Sequence, residues 1–250
     1  MLHLLKRHIF PVTAFFRKSL VLTYAFPPEI LEPLLLPGLT LDTFRGNGFL
    51  AIALVQTEGL RPSFLPAGCG SDFFLGGYRI FTRLATPAGS RRGLRILRSS
   101  TDRRFMVRAG NLFTHYQYEL CDASVTERSA GVEWNIRTPS QQADLEVVEH
   151  PGNSPSLPAG SPFANQGEAR RFAGPLPYTF TWEPESQSII SVLAKRRQWD
   201  PEPAAVEVRK NTFLNQEPYC FAPPILASAF RVREIPYQWL RGTLTPVEAQ

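Results

Sequence analysis

Apolar and polar positions alternate with period two along most of the chain, and the runs are short and bounded by Pro and Gly. Ser19 to Phe26 reads as a buried strand. Pro27 and Pro28 then open a short helix over 27–36, with Gly38 beyond its end. Leu39 to Phe44 and Phe49 to Gln56 read as a hairpin joined by Arg45-Gly46-Asn47-Gly48, where two glycines and an asparagine supply positive φ. The segment 59–72, rich in Pro and Gly, is predicted to be a loop of the kind that can rim a site. Phe73 to Leu84 returns to strand, with Gly76 and Gly77 marking a bulge or a close backbone approach.

The stretch Arg92 to Asp122 reads as strand, helix, strand. Leu94 and Ile96 belong to the first strand. Thr101 or Asp102 caps a helix over 102–113, whose apolar positions Phe105, Met106, Ala109, Leu112 and Phe113 recur at three- and four-residue steps. Tyr116, Tyr118 and Leu120 alternate with His115, Gln117 and Glu119 in the second strand. A further hairpin turns at Ser129 to Gly131, and Gln142 to Glu149 is one more strand. The composition of 151–162 is that of a linker. Ser161 and Pro162 open a helix over 162–172, closed by Gly174, and SIISVLAKRR, PAAVEVRK and LASAFRVREI supply three last strands. About ten strands and three short helices, joined by turns rather than crossover helices, predict an α+β fold that is mainly antiparallel β. The sheet is expected to close, or nearly close, into a barrel, because closure removes exposed edges, and a single domain over 1–250 is expected.

Composition narrows the function classes. The net charge of +5 attracts anions weakly, but nucleic-acid binding needs that charge on one exposed face. The seven arginines between Arg91 and Arg108 alternate with core-type residues, so no nucleic-acid partner is expected. Three scattered cysteines and four histidines without ligand spacing predict neither a disulfide framework nor a metal site. No apolar run reaches membrane-spanning length, and no leader is recognisable. The N-terminal LHLLKRHIF is expected to pack on its own domain rather than on a membrane surface. The default expectation is a cytoplasmic protein without cofactor, and exposed edge strands leave a homodimer open.

The order of LVLTYAFPPEILEPLLLPGLTLDTFRGNGFLAIALV, GGYRIFTRL, RRGLRILRSS, GPLPYTF, RRQWDPEPAAVEV and LASAFRVREIPYQWLRG resembles the YqjF-like family of uncharacterised bacterial proteins, DUF2071. That group resembles acetoacetate decarboxylase in fold. The decarboxylase resemblance implies a lysine that forms a Schiff base with a β-keto acid, its pKa depressed by a neighbouring lysine, an activation for which acetoacetate decarboxylase is the standard illustration. Set ungapped on that pattern, the lysine pair falls on Tyr116 and Gln117, and the acidic residues before the Tyr78 strand are represented by Asp72. No lysine lies between Lys18 and Lys195, so Schiff-base decarboxylation is not expected. The residues singled out are Tyr116 and His115 for catalysis, with Arg79, Tyr116, Asp72 and Lys195 for ligand binding. Tyr116 can donate to a carbonyl or oxyanion, His115 can act as acid or base, and Arg79 can clamp a carboxylate. Lys195 is the one lysine with an inward route. Each also has a structural reading: core tyrosine, satisfied histidine, paired arginine, edge lysine. The implied function is binding of a small carbonyl or carboxylate metabolite in the barrel. A non-catalytic scaffold with a filled interior is the alternative, and for an enzyme the class is a lyase or hydratase acting on a small oxo acid.

Overall fold

A computed structural model describes residues 2–152, 156–174, 176–197 and 199–247. Its strands are β1 (Val12–Phe26), β2 (Leu39–Leu41), β3 (Gly48–Pro62), β4 (Ser71–Thr86), β5 (Gly89–Thr101), β6 (Tyr118–Leu120), β7 (Asp122–Arg128), β8 (Gly131–Arg137), β9 (Leu145–His150), β10 (Tyr178–Glu183), β11 (Ser188–Arg196), β12 (Glu202–Pro203), β13 (Ala205–Asn211), β14 (Ile225–Trp239) and β15 (Thr243–Pro246). The α-helices are α1 (Pro28–Leu31), α2 (Arg104–Phe113) and α3 (Gln166–Ala173).

Seven strands close on themselves in the order β14-β1-β3-β4-β5-β10-β11, with β11 returning to β14 through Ala194↔Trp239 to Arg196↔Tyr237. All the ring pairings are antiparallel except β5 with β10. A second, four-stranded sheet runs β13-β9-β8-β7. Its Trp134, Ile136, Leu145 and Val147 pack on Leu20, Leu22, Leu50, Ile52, Tyr78 and Ile80 of the ring. Strands β1, β3 and β4 are therefore covered on both faces, which is why they read as nearly continuous apolar runs. The opposite faces fill the ring in two layers. Phe49, Phe81, Leu94 and Phe230 meet Ala169 and Ala173 of α3 at one end. Phe16, Phe73, Leu75, Ile235 and Tyr237 meet Met106 of α2 at the other. A register shift in β1 between Phe16 and Lys18 exchanges the inward and outward positions of that strand.

Four local elements differ from expectation. Leu39 to Gln56 is not a hairpin. Arg45 and Gly46 do turn with φ of 49° and 74°, but β2 pairs with β4, as β3 does further along the same edge. The buried Asp42 is the reason: its amide donates to Phe81 O, and its carboxylate accepts 2.6 Å bonds from both Arg83 and Arg92, pinning the connection to β4 and β5. The expected 27–36 helix lasts one turn and tightens into a 3₁₀ turn at Glu32–Leu34, where Pro33 withholds an amide donor. The expected 162–172 helix starts at Gln166. Asn165 caps it by accepting from Glu168 N at 2.9 Å, whereas Ser161 donates to Ala227 O. The segment expected as a loop over 59–72 is shorter, since β3 runs on to Pro62 and β4 begins at Ser71. Part of the linker-like 151–162 lies outside the described residues. Among the described residues, no helix is long and apolar enough to cross a membrane.

Candidate ligand cavity

The end of the ring beneath α2 is hollow. A cavity of about 340 Å³ lies among β3, β4, β5, α2 and the N-terminal segment. Its walls are apolar: Leu60, Leu75, Ile96, Met106, Phe113 and Trp239. Leu65 and Phe105 line it and are also exposed, so the 63–70 loop and the first turn of α2 frame its mouth. Phe105 therefore has an expected helical spacing but no core role. Helix α2 begins at Arg104 with no side-chain cap, because Asp102 instead accepts from Phe74 N at 2.9 Å.

Besides the hydroxyls of Ser71, Ser99, Thr114 and Thr179, four larger polar groups interrupt this lining. Arg79 lies on β4, and its Nε is buried with no hydrogen-bond partner. Successive side chains alternate along β4, so Tyr78 points outward, onto Phe213 and Ala143 O, and Arg79 inward, and the register shift beside them leaves Leu97 of β5 without a partner on β4. Gly77 makes the room. A Cβ there would stand 2.6 Å from Arg79 Nη2 and 2.9 Å from Nε. Among the described residues, no acidic side chain lines the cavity. Burial pulls the Arg79 pKa down from the ordinary guanidinium value, with Tyr237, Tyr118 and Tyr116 opposing. The side chain keeps some contact with the cavity space although its guanidinium is enclosed by protein.

Tyr116 exchanges a 2.9 Å hydrogen bond with Thr179 of β10, and burial pushes its phenol up to about 12. Tyr118 sits beside it, with ring centroids 6.3 Å apart, and burial raises its pKa also. Tyr116 is not in a strand as expected. Pairing with β5 begins only at Tyr118, and it is parallel, after a left-handed residue at Gln117 with φ of 52°. The fourth group is His8, which nothing in the sequence ties to residues seventy or more positions away. Its imidazole is buried, and desolvation lowers its pKa to about 4.

The remaining sequence-predicted residues lie elsewhere. His115 points to the other side of the 114–117 segment, into a separate polar cavity. Asp72 is exposed and accepts from Gly59 N at 2.7 Å. Lys195 is exposed on β11, because its neighbour Ala194 takes the inward position. Neither Asp72 nor Lys195 lines the cavity. The other lysines are also placed apart from it. Lys6 borders the polar cavity, Lys18 lies in β1 and pairs with Glu127, and Lys210 lies within β13 rather than in a turn, 2.8 Å from Asp144.

The family model of DUF2071, described as an uncharacterized conserved protein, matches residues 13–233. This chain belongs to the DUF2071 family. No curated protein matches it by sequence. Among solved structures it is similar to an acetoacetate decarboxylase-like enzyme from Sphingomonas wittichii RW1, at 14% identity and a TM-score of 0.62 over 98% of this chain and 96% of that one. It is also similar to the acetoacetate decarboxylase of Legionella pneumophila, at 10% identity and a TM-score of 0.64 over 95% and 88%. The enduracididine biosynthesis enzyme MppR, complexed with pyruvate, matches at 12% identity and a TM-score of 0.61 over 94% and 90%. The fold of this DUF2071 chain is thus acetoacetate decarboxylase-like, and identities this low carry the fold alone.

Proposed function

We propose that this protein binds a small carbonyl-bearing organic acid in the ring cavity, with the carboxylate on Arg79, and that it does so without Schiff-base chemistry. The observation that carries this reading is the unpartnered Arg79 guanidinium facing an apolar cavity that contains no acid. An unpaired buried charge costs several kcal/mol, and a bound carboxylate supplies the missing partner through two parallel hydrogen bonds. The apolar walls suit the remainder of the ligand, and the Tyr116 hydroxyl is a neutral donor for a carbonyl oxygen or an enolate. The open cavity at Tyr116 speaks against a scaffold with a filled interior. The MppR complex with pyruvate, a 2-oxo acid, supports the ligand class. An iminium needs a primary amine at the substrate, and none of the four lysines lines this cavity.

Two measurements test the reading. Native mass spectrometry of the purified protein is expected to retain an organic acid, and Arg79→Gln to lose it. Incubation with acetoacetate followed by borohydride is expected to leave the intact mass unchanged. A stoichiometric adduct on any lysine overturns the second half of the proposal. Equal retention of an acid by Arg79→Gln overturns the first.

A further inference from the structure

A second cavity, of about 380 Å³, opens on the other face of the same segment. Its origin is topological. Strand β10 pairs in parallel with β5 only over Gly93 to Arg95, and β6 only over Ser99 to Thr101. Between the two, β5 has a notch. Arg95, Thr181 and Trp182 stand on one side of it, His115 and Gln117 on the other, and Lys6 reaches in from the N-terminal segment.

The notch gathers nitrogen atoms that have no hydrogen-bond partner. Arg95 Nε and Nη1 and His115 Nε2 are buried with no hydrogen-bond partner. Among the described residues, Lys6 forms no ion pair and no acid lines the notch. Glu183 and Glu185 are close enough to act on His115, as are Lys6 and His3. However, Glu183 is already held by Arg7, through bonds of 2.7 and 2.8 Å, and by Ser186. Burial lowers the pKa of both Arg95 and His115, and for His115 Lys6 adds to that effect. Three nitrogen donors that cost free energy unpaired, plus a lysine, match an anion with several acceptor oxygens better than a single carboxylate. Trp182 and Leu36 give the same notch an apolar wall.

We infer that the Arg95–His115–Lys6 notch is a binding site for the phosphate group of a small phosphomonoester, distinct from the cavity that holds Arg79. The two sites border each other at Ile96 and Thr114, but Arg79 lines only the apolar cavity and Arg95 only the polar one. The inference stands independently of the organic-acid reading.

Inorganic phosphate is the probe, titrated into the full-length protein by calorimetry at low ionic strength. Wild type is expected to bind it saturably, and Arg95→Gln to weaken binding by about tenfold, the effect of losing one charge-assisted contact. Lys6→Gln, an independent variant with no partner to disrupt, is expected to weaken it severalfold if Arg95→Gln does not fold. Arg79→Gln separates the two cavities and is expected to leave phosphate affinity within twofold of wild type. No saturable binding by wild type overturns the inference. So does unchanged affinity in both the Arg95 and Lys6 variants, or a loss in Arg79→Gln as large as theirs.

Discussion

Replacing Arg79 by Met separates a ligand-binding arginine from a structural one, because the two roles predict opposite signs. A structural arginine is held by partners, and its removal destabilises the protein by leaving those partners unpaired. Arg79 has no such partners: its Nε is orphaned, no acid among the described residues lines its cavity, and the groups that act on it are the Tyr237, Tyr118 and Tyr116 phenols and the Arg196 guanidinium. Methionine preserves the stem opposite Ile96 and removes the desolvated charge. Exchanging buried ionic groups for apolar ones of similar volume commonly stabilises by about 1–4 kcal/mol. A gain of about 2 kcal/mol is expected here, because the guanidinium retains contact with the cavity. In a domain of this size that raises Tm by roughly 4–8 °C. Thermal unfolding followed by circular dichroism, on protein stripped of bound acids, is the assay. A short-chain 2-oxo acid should raise the Tm of wild type and leave that of Arg79→Met unchanged, since only a ligand that binds the folded state shifts the transition. If Arg79→Met unfolds several degrees below wild type, the guanidinium is structural and the organic-acid reading falls with it.

His8 makes stability depend on pH. Its folded value of about 4 lies below the ordinary 6.5, so the unfolded chain takes up a proton between these values that the folded chain refuses. Stability is expected to rise by about 3 kcal/mol from pH 4 to pH 6.5 and then to level off, and denaturant titrations should show His8→Asn removing most of that slope. Asparagine is chosen because His8 has a positive φ of 55°. Gly110→Ala gains helix propensity yet should destabilise by about 1–3 kcal/mol, because its Cβ would stand 2.3 Å from the Tyr118 ring. An unchanged Tm would show that Tyr118 can move aside. Tyr116→Phe removes the 2.9 Å bond to Thr179 and is expected to cost about 1 kcal/mol in the same denaturant assay, while weakening acid binding less than Arg79→Gln does.

The period-two pattern, the punctuating Pro and Gly and the family motifs were enough to give a mainly antiparallel fold of acetoacetate decarboxylase type. Those signals are local or are carried by motif order, and the strands 73–84 and 205–211 were legible because each needs only its own alternation. Long-range pairing was not legible. Whether Leu39–Leu41 joined β3 or β4 depended on a buried Asp42 reaching two arginines forty and fifty residues away. The sites follow the same division. Arg79, Tyr116 and His115 were visible as polar groups in apolar surroundings. Their separation into two cavities was decided by how β4, β10 and the 114–117 segment come together, with a left-handed residue at Gln117. His8 and Arg95 gained their surroundings only when the ring closed. Sequence fixes which residues carry charge and which alternate, while tertiary structure alone decides which of those charges is left without a partner.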